Sequence, residues 1–137
     1  MATLLLADNE KTFRQELAVA LEGAGYVVLQ AGSGEEALAV YHSNSVQTVI
    51  TSILMPDRDG IEVIREILGL EWSTRVIAMS SGCALCGLDI GKLALRSGAE
   101  RVLEKPFTAE ALLQELTEIL VSGSTFRVPR EEVGDAA

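Results

Sequence analysis

The strongest constraint on this chain is a rhythm: short apolar runs alternate with amphipathic stretches, five of each. Leu4-Leu5-Leu6-Ala7 reads as a short buried strand. Phe13, Leu17, Leu21 and Ala24 then recur at helical spacing until Gly25 stops them. Tyr26 to Ala31 is a second strand. Ser33 followed by Glu36 has the form of a capping box, opening a short helix through Tyr41. Val46 to Ser52 is a third strand. After the turn Met55-Pro56-Asp57-Arg58-Asp59-Gly60, Asp59 with Glu62 caps a helix that places Ile61, Ile64 and Leu68 on one face. Arg75 to Ser80 is a fourth strand. A loop of small residues, Ser81 to Gly87, leads into a helix that runs to Arg96 and ends at Gly98. Arg101 to Glu104 is a fifth strand, broken by Lys105-Pro106. Thr108 caps a last helix carrying Leu112, Leu113, Leu116, Ile119 and Leu120. Strands and helices in strict alternation predict an α/β fold: a doubly wound parallel sheet, joined by right-handed crossovers and covered on both faces.

The 137 residues suit one domain, expected over residues 1–121, with residues 122–137 as a flexible tail where the pattern fades. Apolar residues make up 48% of the chain but aromatics only 4%, so Leu, Ile, Val and Ala must fill the core. A net charge of −9 argues against a nucleic-acid partner, because an acidic surface repels phosphate backbones. No apolar run reaches the roughly 18 residues of a membrane span. The start lacks the basic region of a signal peptide, so a cytoplasmic location is expected.

In doubly wound sheets, ligands bind beyond the carboxyl ends of the strands. The residues there are Asp8, Asn9, Ser52, Ser80 and Lys105. Four segments carry them in order. They are Leu6-Ala7-Asp8-Asn9-Glu10, Ser52-Ile53-Leu54-Met55-Pro56 with Asp59-Gly60, Ile77-Ala78-Met79-Ser80, and Gly98-Ala99 through Lys105-Pro106-Phe107. Together they resemble the receiver domain of bacterial two-component response regulators, over about residues 3 to 121. The resemblance implies a flavodoxin-like five-stranded sheet of order 2-1-3-4-5. It also implies a pocket in which an acidic pair after the first strand and an aspartate ending the third hold Mg²⁺. That aspartate accepts phosphate from a histidine kinase, and a hydroxyl and a lysine contact the phosphoryl group. The Lys-Pro bond in this family is often cis.

By position, Asp8 matches the first acid, Ser80 the hydroxyl and Lys105 the lysine. Three positions depart. Ser52 stands where the phosphoacceptor aspartate belongs. Asn9 stands where the second acid is expected. Val102 stands where an aromatic switch residue is common. A serine hydroxyl is a poor nucleophile without a base, and it cannot form an acyl phosphate. With Asp8 as the sole remaining carboxylate of the usual three, Mg²⁺ binding is expected to be weak or lost. Lys105 is expected to lean toward Asp8 into the metal's place.

Other readings stay open beside this one. Asp8 and Asn9 suit a helix cap. Asp57, Asp59 or Ser52 itself is a conceivable surrogate phosphorylation site. Cys83 and Cys86 have redox-motif spacing, although two unlinked cytosolic thiols are the plainer reading. His42 lies far from Ser52, so a serine-hydrolase arrangement has no support. The expected function is a stand-alone, non-enzymatic receiver acting through protein contacts without aspartyl phosphorylation. By family analogy its contact face is the fourth helix, fifth strand and fifth helix, with Leu93, Arg96, Arg101 and Gln114. Expected partners are a histidine kinase, a downstream effector or a second copy of the chain.

Overall fold

The computed structural model describes residues 2–81 and 90–121. The thiol pair Cys83 and Cys86, and residues 122–137 of the expected tail, lie outside them. The elements run β1 (Thr3–Ala7), α1 (Lys11–Gly23), β2 (Val27–Ala31), α2 (Gly34–Ser43), β3 (Thr48–Ser52), α3 (Gly60–Leu70), β4 (Arg75–Ser80), α4 (Ile90–Ser97), β5 (Arg101–Glu104) and α5 (Ala109–Val121). All strand pairs are parallel, in the order β2-β1-β3-β4-β5. Among the described residues, no helix is long and apolar enough to cross a membrane.

Side-chain alternation splits the core into two layers. Leu5, Val49, Val76 and Ala78 face α2, α3 and α4, where they meet Leu38, Ile64, Ile67 and Ala94. Leu4, Leu6, Ile50, Ile77 and Met79 face α1 and α5, where they meet Leu17, Leu21, Leu112 and Leu116. β3 is central and buried along its whole length. β2 is an edge strand, so its half-exposed pattern departs from the continuous apolar run of the buried strands.

The ends of the elements follow local chemistry. Ser33 Oγ accepts from the Glu36 N–H at 3.1 Å. Glu36 reaches back one residue further than a capping box requires and accepts from Gly32 N–H at 2.6 Å. Asp59 and Thr108 cap α3 and α5 as expected. Two boundaries move by two residues, others by one at most. α2 continues past Tyr41 to Ser43 and takes in His42, while β3 begins at Thr48 rather than Val46. At the start of α3 the chain doubles back: Gly60 N–H donates to Ile53 O at 2.6 Å. A Cβ on Gly60 would press into the Ser52 carbonyl and lie 2.8 Å from Ile53 Cα. Gly69, near the end of the same helix, has open space around it.

These two glycines should therefore respond in opposite directions. Gly60→Ala is expected to destabilise the fold by about 1–3 kcal/mol through backbone overlap. Gly69→Ala should stabilise it by roughly 0.4–1 kcal/mol, by restricting the unfolded chain. Urea unfolding of both variants checks the contrast.

Candidate functional site

The crevice at the carboxyl edge is assembled by strand register. Ala7 lies level with Thr51, Ser52 with Met79, and Ser80 with Glu104. Alternation then decides which way each end residue points. Asp8 and Ser52 continue the set of Leu6 and Ile50, toward α1 and α5. Ser80 continues the set of Ala78, toward α4.

Asp8 is fully buried. Its Oδ1 accepts from Glu10 N–H at 2.7 Å, and its Oδ2 accepts from Lys105 Nζ at 2.7 Å. Asp8 N–H extends the sheet to Ala31 O, and its carbonyl accepts from Arg14 Nη1 at 2.7 Å. Both ends of the residue are thus fixed. The Lys105 side chain, 19% exposed, reaches Asp8 across the crevice. Its ammonium lies 4.6 Å from the centroid of the Phe13 ring, which meets Phe107 edge-on at 5.7 Å. The backbone N–H of Lys105 donates to Ser80 O, and the Lys105–Pro106 bond is cis.

Ser52 is 4% exposed. Its hydroxyl donates to Leu54 O at 3.4 Å, a long bond of little weight. Ser80 is buried at the next strand end. Asn9 stands exposed at the rim, and Val102 packs half-buried against the α2–α4 side of the core. Asp8, Ser52, Ser80 and Lys105 therefore all stand at the carboxyl edge of the sheet, Asp8 and Lys105 in direct contact, with Asn9 exposed beside them.

Asp57 and Asp59 face elsewhere. Asp59 Oδ1 accepts from Glu62 N–H at 2.9 Å as the α3 cap. Asp57 crosses to the start of α2, where Oδ1 accepts from Gly34 N–H and Oδ2 from Glu35 N–H, each at 3.0 Å. These backbone donors, Glu35 foremost, hold its carboxyl well below the usual aspartate range. The neighbouring Arg58 guanidinium meets Glu66 at 2.7 Å, Glu35 at 3.6 Å and Glu62 at 3.9 Å. Those partners raise its pKa, the Glu66 hydrogen bond most. None of this was visible in the sequence: Asp57 and Gly34 are far apart along the chain, and no local pattern links them.

The family model of the response regulator receiver domain matches residues 4–117 of the chain. The chain belongs to the response-regulator receiver family. As a receiver of two-component signalling it is similar to the response regulator receiver protein CpdR of Brucella abortus. That relative is 30% identical over 122 residues, which cover 89% of this chain and 99% of the relative. It is also similar to the transcriptional regulatory protein TrcR of Mycobacterium tuberculosis, at 29% identity over 96% of this chain and 51% of TrcR. The receiver thus spans about half the length of TrcR and, likewise, of the response regulator MprA. A receiver domain from Clostridium thermocellum has 32% identity and a TM-score of 0.78, covering 86% of this chain and 93% of that one. A two-component response regulator from Clostridium difficile has 26% identity and a TM-score of 0.82, covering 90% and 99%.

The Mg²⁺ that such receivers bind needs several hard oxygen donors in octahedral array. Here both Asp8 oxygens are already engaged, Ser52 supplies a hydroxyl rather than a charge, and Asn9 stands at the rim. Among the described residues no group of three or more acidic, His or Cys side chains is placed to hold a metal. The residues of this receiver do not fit a resident Mg²⁺ ion.

Two outcomes follow from this geometry. Lys105→Met leaves the buried Asp8 carboxylate with the Glu10 amide alone. It should cost up to about 3 kcal/mol in urea unfolding at neutral pH, below the full cost of breaking a wholly buried pair because Lys105 is partly exposed. The Asp57 effect has the opposite pH sense from a histidine's. Its pKa is depressed on folding, so its stabilisation is fully present above the ordinary aspartate value of about 3.9. It is lost as pH falls through the lower folded value. The melting temperature should exceed that of Asp57→Asn at pH 6, and the gap should begin to narrow below about pH 4.

Proposed function

We propose that this receiver signals through protein contacts without taking a phosphoryl group on its third strand. The observation that carries the reading is Ser52: a buried hydroxyl at the acceptor position, beside a carboxylate already neutralised by Lys105. Phosphoryl transfer needs a nucleophile, positive charge to offset the moving phosphoryl group, and a base or metal to organise both. Lys105 and Ser80 persist, but the nucleophilic carboxylate is gone and the donors do not suit Mg²⁺. The receiver is then a pseudo-receiver and a binding module rather than an enzyme.

The surrogate acceptors have geometry against them. Both Asp57 oxygens are held by backbone amides, and an Asp59 oxygen caps α3. Ser52 is too enclosed for a protein kinase to reach without opening the sheet edge. The proposed contact face is α4, β5 and α5. Leu93, Arg96 and Gln114 are exposed on it, while Arg101 is braced by Glu115 at 2.9 Å and Glu118 at 3.9 Å. A histidine kinase, a downstream effector or a second copy of this face is the proposed partner, in the cytoplasm.

Incubation with acetyl phosphate and Mg²⁺, followed by intact mass, tests the reading. No gain of a phosphoryl group is expected. A hydroxylamine-labile phosphoryl adduct would overturn it. The double variant Ser52→Asp, Asn9→Asp should acquire Mg²⁺ binding, since it returns two charged oxygen donors to a retained scaffold.

A further inference from the structure

The loop that follows Ser52 is tied to the rest of the molecule by groups that lie outside the pocket. Its ends are closed by Gly60 N–H on Ile53 O. Its tip is docked on α2. Asp57 spans the first two backbone N–H groups of that helix with both carboxylate oxygens, and Ser33 takes the third at Glu36. Helix starts leave such donors without intrahelical partners, so a carboxylate there satisfies them and meets the positive end of the helix dipole. The approach is close. A Cβ on Gly34 would press into the Arg58 carbonyl and lie 2.8 Å from Arg58 Cβ. Arg58 then spreads over Glu35 of α2 and over Glu62 and Glu66 of α3. His42, near the end of α2, approaches Glu66 at 3.9 Å.

We propose that Asp57 and Arg58 form a latch that holds the loop after Ser52 onto the start of α2, independently of the Asp8–Lys105 pair in the pocket. Asp57 is a positioning residue in this device. The weight falls on its two backbone bonds and the Gly34 fit, because ion pairs as exposed as those of Arg58 contribute little one by one. The latch gives the acceptor loop its order from within the chain, whatever occupies the crevice. It also joins α2, the loop and α3 into one surface that keeps its shape when the pocket changes.

Amide hydrogen exchange reads this directly, since local opening is reported bond by bond. In Asp57→Ala, exchange at Gly34, Glu35 and Gly60 should rise at least ~10-fold, with Ile50 and Ile77 unchanged. In Lys105→Met the same three amides should stay within about 2-fold of the parent, relative to any global change at Ile50 and Ile77. Should Asp57→Ala fail to fold by circular dichroism, Asp57→Asn replaces it: it keeps one acceptor oxygen for the two amides, so a smaller rise at Gly34 or Glu35, together with Gly60, is expected. Loosening confined to Gly34 and Glu35, with Gly60 as slow as in the parent, would reduce Asp57 to a helix cap and overturn the latch. Equal loosening of Gly60 in Lys105→Met would overturn its independence from the pocket.

Discussion

Everything at the functional edge depends on β3 being held between β1 and β4 with no face exposed. Its five residues are buried, and parallel pairing on both sides fixes its register. A slip of one residue would turn Ile50 away from α1 and α5 and bring Val49 into its place. It would also turn Ser52 away from Asp8. The packing that stabilises the sheet thus also sets the direction of each side chain in the crevice. The direction in which residue 52 points is thus written in Val49, Ile50 and Thr51, whatever side chain residue 52 carries.

Much of this architecture is legible because it rests on local signals. Apolar runs gave the strands, and Ser33, Asp59 and Thr108 marked helix starts through bonds that span three residues. Among the described residues, the glycines with positive φ, Gly25 and Gly98, marked helix ends, since a left-handed backbone suits a residue without Cβ. The boundaries that moved lacked such a mark. Nothing between Tyr41 and Ser45 stops a helix until Asn44 turns extended, and Val46 has strand propensity without a ladder partner.

The site was legible to a different depth. Strand-end placement found Asp8, Ser52, Ser80 and Lys105, because a parallel sheet forces such residues together. The resemblance to receivers, with its departures at Ser52 and Asn9, led to the expectation that Lys105 leans toward Asp8, which the 2.7 Å contact matches. Asp57 escaped the same reasoning. Its partners are backbone amides of α2, and a backbone amide has no residue identity to read. Arg58 escaped for a related reason: Glu35, Glu62 and Glu66 converge on it only after α2 and α3 have packed.

The charge balance of the crevice explains why these departures hang together. Three carboxylates facing one lysine would leave two negative charges in a poorly hydrated space, and a divalent cation settles that debt. With Ser52 and Asn9 in place, the Asp8 carboxylate faces the Lys105 ammonium directly, at 2.7 Å. The gross attraction of such a pair at 2.7 Å is roughly 6 kcal/mol at an effective dielectric of about 20. Desolvating each ion costs several kcal/mol, so the pair adds little net stability while making the loss of either partner expensive. That asymmetry gives a physical reason for Lys105 and Asp8 to stay paired. Lys105 is the condition on which the Asp8 carboxylate can remain buried.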